Sequence, residues 1–301
     1  NPPIRVGVAC SGLLTETTFD SLSDAHDKLN IEIVFFIENN LVLHEHAKQK
    51  RPGVLNFTDL RQTVSDLKSG VIDKRSMKVD LLMISPPCEN ETTMRIYNRK
   101  GLAASRDLFT HYSPELAKQI DADNVMMEIT PNENMSAHRK VQKKFEAMGK
   151  HCTVVDRLPS CFCGDKTHRD RWWLVASNKI LDIDIYKYLS TEPCIAAEIL
   201  DDPTDVDPSL WINEPYLVVG GYTMPTDPKA AAPRRSFATL YSLVNGINDK
   251  EHKIYLSTSP LPTITRSGLV RVFIPGHGAR FLSLEEMARA SSFDDDTITV
   301  L

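Results

Sequence analysis

DLLMISPPCENETTMR, residues 80–95, opens as a core strand and stops abruptly. Leu81, Leu82, Met83 and Ile84 form an uninterrupted apolar run, the pattern of a strand buried on both faces. Ser85, Pro86 and Pro87 end it, because two prolines fix the backbone and remove two N–H donors. Cys88 follows, then the polar Glu89 and Asn90. A rigid strand end that presents a thiol asks what the rest of the chain places beside it.

Outward from this stretch the same kind of apolar run recurs. IRVGVA (4–9), IEIVFFI (31–37), VDLLMIS (79–85), NVMMEI (124–129) and WWLVAS (172–177) read as buried strands. Residues 17–29, 40–50, 59–69, 107–120 and 135–149 read as helices between and beyond them. Such alternation predicts an α/β fold with a mostly parallel, doubly wound sheet. Ligands on these sheets sit at the carboxyl ends of the strands. Ser11-Gly12, Glu38, Pro87-Cys88 and Glu128 all fall at such ends. From about residue 180 the texture changes to many prolines, a Gly220-Gly221 pair and the strand-like YLVVGGY at 216–222. The expected division is therefore a domain over 1–179 and a smaller one over 180–301.

Composition narrows the class. At 301 residues with 42% hydrophobic and 25% charged, the chain is ordinary globular protein with room for a large core. No apolar stretch is long enough to span a membrane, and NPPIRVGVAC lacks the basic and apolar regions of a signal peptide. Six cysteines at 10, 88, 152, 161, 163 and 194 show no framework spacing, which points to a reducing, intracellular setting. A net charge of -5 argues against coating nucleic acid by bulk charge, and leaves a local basic cleft open.

Each candidate residue fits two readings. Gly12 in ACSGLLTET serves a tight turn or a ligand-facing loop, and the absence of GxGxxG leaves phosphate cradling unsupported. Glu38 in FFIENN accepts from both hydroxyls of a ribose or caps the next helix. Asp59 in NFTDL accepts from an adenine amino group or caps a helix. Cys88 is a small buried filler or a nucleophile beside a closing loop, residues 89–106 with Arg95, Arg99, Lys100 and Gly101. Arg169 and Arg171 in HRDRWW form a solvated edge or two guanidinium forks for a planar carbonyl or phosphate. Glu128 is a surface-turn acid or a buried strand-end carboxyl. CFCGDKTH invites a zinc reading, but its spacing fits no common Cys pairing, so no metal is expected.

In order along the chain these stretches resemble the cytosine-C5 DNA methyltransferases. VACSGLL resembles the family's cofactor loop, FFIENN its ribose-binding acid and NFTDL its adenine contact. SPPCEN is similar to the Pro-Cys nucleophile motif and VMMEI to the Glu-Asn-Val motif. THRDRWWLVAS resembles the paired-arginine motif in the style of the de novo enzymes. STSPLPTIT with RFLSLEEMARASSF resembles the late motif that supports target recognition. The resemblance implies a class I methyltransferase, Rossmann-like doubly wound sheet with a smaller target-recognition domain. It implies S-adenosylmethionine as methyl donor, released as S-adenosylhomocysteine, held by Cys10, Ser11, Gly12, Leu13, Glu38, Asn39, Asp59, Leu60 and Pro86. The implied partner is double-stranded DNA, its target cytosine flipped out of the stack.

By the same resemblance Cys88 adds to C6 of cytosine and Glu128 sits against N3 and the exocyclic amine. Arg171 holds the C2 carbonyl and Arg169 supports that loop. Arg234, Arg235 and Lys253 are candidate contacts in the smaller domain. The implied location is the cytoplasm of a prokaryote or virus, or a eukaryotic nucleus. Four departures stand out. Leu14 and Thr15 replace a second glycine, Glu89 stands where Gln or Asn is common, Ile129 replaces the asparagine after the acid, and Thr167 replaces a Gln. Ile129 bears on how Glu128 is held. The sequence also reaches Leu301 without a Gly-Asn-Ser-Val segment, which in the family forms a helix completing the cofactor site. An RNA (tRNA) cytosine methyltransferase, a non-catalytic DNA-binding relative and a dinucleotide oxidoreductase are the competing readings. The last lacks its glycine fingerprint.

Overall fold

The computed structural model describes residues 2–10, 12, 29–87, 107–131, 135–213, 216–219, 237–242, 252–262, 264 and 270–291. They fall into two compact units, residues 1–157 with 171–183 and residues 158–170 with 184–301.

In the first unit the apolar runs form strands as their patterning predicts. These are β1 (Ile4–Ala9), β2 (Ile31–Ile37), β3 (Leu55–Phe57), β4 (Leu81–Ile84), β5 (Asn124–Ile129) and β6 (His151–Pro159). After the short β7 (Thr167–His168), which belongs to the second unit, comes β8 (Asp170–Ser177). The sheet runs β3-β2-β1-β4-β5-β8-β6. The pairs from β3 through β5 are parallel, and β8 lies antiparallel to β5 with Trp173 opposite Glu128. Strand order reverses between β1 and β4, so a crevice opens at the carboxyl ends of those two strands.

Helices cover both faces. They are α1 (Leu41–Lys50), α2 (Leu60–Ser69), α3 (Ser113–Gln119) preceded by a π-helical turn (Leu108–Tyr112), and α4 (Ser136–Ala147). The helical reading of 107–120 is thus split between a π turn and α3. The helix expected over 17–29 lies outside the described residues. On one face Leu60, Val64 and Leu67 of α2 and Val141 and Phe145 of α4 meet Phe35, Ile37, Ile84 and Met127. On the other, Ala47 of α1 meets Val6, Val8, Phe36 and Met83. Each such fully buried Phe, Ile or Leu contributes about 1.5–3 kcal/mol. Within β1, a Cβ on Gly7 would lie 2.3 Å from Phe35 Cε1, so the bare glycine is what lets the Phe35 ring cross.

α2 shows how local sequence sets an element. Leu60, Thr63, Val64 and Leu67 recur at helical spacing and are buried, Asp59 caps the start, and Gly70 at φ 79° ends it. β6 was invisible to periodicity because HCTVVDRLP mixes half-buried and exposed positions along its length.

In the second unit, β9 (Tyr216–Val219), β10 (Phe237–Ser242) and β11 (His252–Leu256) are followed by β12 (Leu261–Pro262), β13 (Arg271–Ile274) and β14 (Gly278–Phe281). Among the described residues five of these form a sheet ordered β14-β13-β11-β10-β9, while β12 pairs with β7. α5 (Leu284–Ala290) closes the unit over Ile199, Tyr255, Leu261, Val272 and Leu282. Arg280 and Glu286 are both 0% exposed and meet through two hydrogen bonds of 2.6 Å. The Glu286 carboxylate also accepts from the backbone N–H groups of Asp201 and Ser283, so every oxygen of this buried acid is engaged.

Candidate active site

The carboxyl ends of β1, β2 and β3 converge on one cavity of about 310 Å³. Past β1 the chain turns through two left-handed residues, Cys10 at φ 55° and Gly12 at φ 57°. Cys10 donates its N–H to the Ile37 carbonyl at 2.7 Å, tying the loop to β2. Glu38 leaves β2 with 7% exposure, and its two oxygens accept from the backbone N–H groups of Gly12 at 2.8 Å and Asn40 at 2.7 Å. Each oxygen keeps a second lone pair for a ligand hydroxyl. Of the two readings of Glu38, helix capping is excluded, because Asn40 caps α1 by accepting from Val42 and Leu43. Asp59 does cap α2, accepting from Arg61 at 2.6 Å and Gln62 at 3.1 Å.

The cavity gathers Cys10, Gly12, Glu38, Asn39, Asp59 and Leu60 from three separate loops. Pro86 is not among its lining, but its neighbours Ser85 and Pro87 are. Ser11 and Leu13 lie outside the described residues. Sequence reasoning missed Arg61 and Leu108, which also line it. Arg61 is one residue past an α2 start already in view, whereas nothing in the sequence links the π turn carrying Leu108 to this crevice. Burial, then the carboxylates of Glu38 and Asp59, push the Cys10 thiol up to about 12. The cavity's own cysteine is therefore a neutral wall and not a nucleophile.

A second cluster forms where β5 and β8 run antiparallel. Glu128 Oε1 and Arg171 Nε are directly paired, with side chains 13% and 14% exposed. Arg169 precedes β8 in the second unit, its backbone bonded both ways to Ser160. Cys88, Glu89 and the loop 89–106 lie outside the described residues, as do Arg234 and Arg235. Lys253 lies on β11. The thiols of the CFCGDKTH segment, Cys161 and Cys163, are free; Cys161 is buried, which pushes its thiol up to about 12, and Cys163 is exposed. Among the described residues no three His, Cys, Asp or Glu side chains gather as a metal site.

No protein-family model matches the chain, and no curated protein matches it either. Solved structures do. The Dnmt2 methyltransferase of S. pombe superposes with a TM-score of 0.62 at 14% identity, over 98% of this chain and 87% of that one. The chain has the fold of a methyltransferase. A prophage-encoded E. coli protein described as a DNA modification methyltransferase gives 0.60 at 17% identity, over 97% of this chain and 89% of its own. The Entamoeba histolytica methyltransferase EhMeth gives 0.58 at 12% identity, over 98% and 88%. At these identities the likeness is one of fold. It agrees with the family resemblance carried by the motifs, and it matches the expected Rossmann-like sheet.

Proposed function

We propose that the protein is a cytosine-C5 methyltransferase that uses S-adenosylmethionine and acts on double-stranded DNA, with Cys88 as nucleophile. The observation that carries this reading is the Glu128–Arg171 pair. An acid ending β5 touches a guanidinium entering β8, beside the strand that runs into Ser85-Pro86-Pro87 and so to Cys88. Such a pair offers a flipped cytosine what its polar edge needs, a carboxyl for N3 and the exocyclic amine and a cation for the C2 carbonyl.

C5 of cytosine is a weak nucleophile, so a sulfur must first add to C6. In this reading the Cys88 thiolate makes that bond and electron density moves to C5. Glu128 stabilises the adduct at N3 and Arg171 takes the charge building at O2. Once C5 carries the methyl group, loss of the C5 proton to water re-forms the C5–C6 double bond and expels Cys88 as the thiolate. S-adenosylmethionine supplies an electrophilic methyl group to this chemistry. The cavity fits it: Glu38 has lone pairs for the ribose hydroxyls, and Asp59 lies farther along for an adenine amino group. Cys10 and Gly12 line it as well.

The test is covalent trapping. Protein and S-adenosylmethionine are incubated with duplex DNA carrying 5-fluorocytosine, whose fluorine blocks the last elimination. A denaturation-resistant adduct that Cys88→Ser abolishes is the expected outcome. An adduct on fluorinated RNA but not on DNA moves the substrate to RNA. No adduct on either, with the methyl donor bound, overturns the reading in favour of a non-catalytic relative.

A further inference from the structure

The residue after the proposed acid is Ile129, where the family resemblance leads one to expect an asparagine. Ile129 is 1% exposed, stands opposite Trp172 and belongs to the core cluster that also holds Phe109 and Val141, so its side chain offers no hydrogen bond to the strand end. The ladder to β8 pairs this stretch of β5, and a side chain on α4 also reaches the strand end that carries Glu128. One residue further, the Thr130 carbonyl lies 3.1 Å from Nε2 of His138 on α4. A carbonyl only accepts, so Nε2 carries the proton and donates.

His138 is 1% exposed and its ring is wedged between two others. The Trp172 centroid lies 4.9 Å away at 71°, and that of Phe109 lies 5.2 Å away at 61°. Phe109 and Trp172 also meet edge to face at 6.0 Å and 84°. Trp172 follows Arg171 directly and stands opposite Ile129 in the β5–β8 register. A single imidazole thus touches the backbone two residues past Glu128 and the ring next to Arg171. Edge-to-face packing of three rings fixes its orientation. Phe109 extends the cluster into the π turn whose first residue, Leu108, lines the strand-end cavity.

We infer that His138 is the positioning residue of the Glu128–Arg171 pair, holding the ends of β5 and β8 in register from the opposite face of the sheet. This inference rests on the reading of that pair as the cytosine-binding groups. His138 touches no reacting atom. It works through the Thr130 carbonyl and the Trp172 ring, and its loss would let the acid and the guanidinium drift relative to the base. A misplacement of about 1 Å at a reacting centre costs on the order of a hundredfold in rate.

The experiment compares variants in the full chain for trapping rate and for methyl-donor affinity measured separately by calorimetry. His138→Phe keeps a ring and removes the donor. Its trapping rate is expected to fall by roughly ten- to a hundredfold, with methyl-donor affinity changing far less, because His138 itself does not line the strand-end cavity. His138→Gln, whose amide reaches the same carbonyl, is expected to recover most of the rate, and a merely structural role would not predict that rescue. Should His138→Phe fail to fold, His138→Gln against His138→Asn reads the same point, since only the longer amide spans to Thr130. Wild-type rates in His138→Phe, or equal rates in the Gln and Asn variants, overturn the inference while leaving the enzyme reading intact. A wild-type protein that traps no fluorinated substrate overturns the enzyme reading and this inference with it.

Discussion

With its thiol pushed up to about 12, Cys10 stays essentially protonated at pH 8. The cause is burial first, then two carboxylates that repel a developing negative charge. The thiol therefore stays protonated through the neutral and mildly alkaline range. Alkylation at pH 8 followed by peptide mapping should leave Cys10 unmodified over times that fully label an ordinary thiol. Rapid labelling of Cys10 would show that the loop opens far more than its bond to Ile37 implies. The result matters because it separates the two cysteines at the strand ends. Cys10 walls the proposed donor cavity, and only Cys88 is left as the proposed nucleophile.

At the level of elements, the register of β1 against β2 depends on a side chain that is missing. Phe35 of β2 lies across β1 at Gly7, and no Cβ fits beneath it. Gly7→Ala forces Phe35 out of its rotamer or shifts the strands, a cost of about 1–3 kcal/mol. Thermal unfolding should show it as a lowered midpoint. Adding Phe35→Leu should recover part of the loss, because the two sites share one contact and their effects are not additive. A fully additive double variant would refute the contact. The consequence reaches function, since β1 and β2 end in Cys10 and Glu38. A slip between these strands would break the 2.8 Å bond from Gly12 to Glu38.

Across the molecule as a whole, the second unit depends on one buried ion pair. Burial by itself would raise the Glu286 carboxyl, but Arg280 and the N–H groups of Ser283 and Asp201 outweigh it and hold the group below its ordinary range. A depressed acid contributes stability that is fully present above the unfolded value of about 4.3 and is lost as pH falls through the lower folded value. Glu286→Ala leaves Arg280 charged and unmatched where both side chains are 0% exposed, so it should cost about 3–5 kcal/mol at pH 7. Hydrogen exchange at the α5 amides reads that loss within the unit itself. Acidifying the wild type through the folded value should bring its exchange towards that of the variant. Amide protection, measured against the intrinsic exchange rate, that stays constant across this range would mean that the pair does not hold the segment from Ile199 to Asp201 against α5.

The sequence alone determined the elements with strong local signals. Continuous apolar runs marked β1, β2, β4 and β5, and Asp59 with helical spacing marked α2, because patterning and capping act within a few residues. It also placed Glu38, Asp59 and Glu128 at strand ends, since a parallel α/β order dictates which end of each strand faces the crevice. Tertiary structure decided what depends on a partner far along the chain. That β8 runs antiparallel to β5, and that β6 forms the far edge, follows from pairings that a half-polar strand does not advertise. Whether Glu38 caps a helix or faces a cavity was settled by the direction of two N–H groups, one of them 26 residues away. In the sequence His138 is one polar residue among several on a helix. Only packing three rings from three separate elements showed it against the strand end that carries Glu128. Local patterns specify where a strand stops, and long-range packing specifies what meets it there.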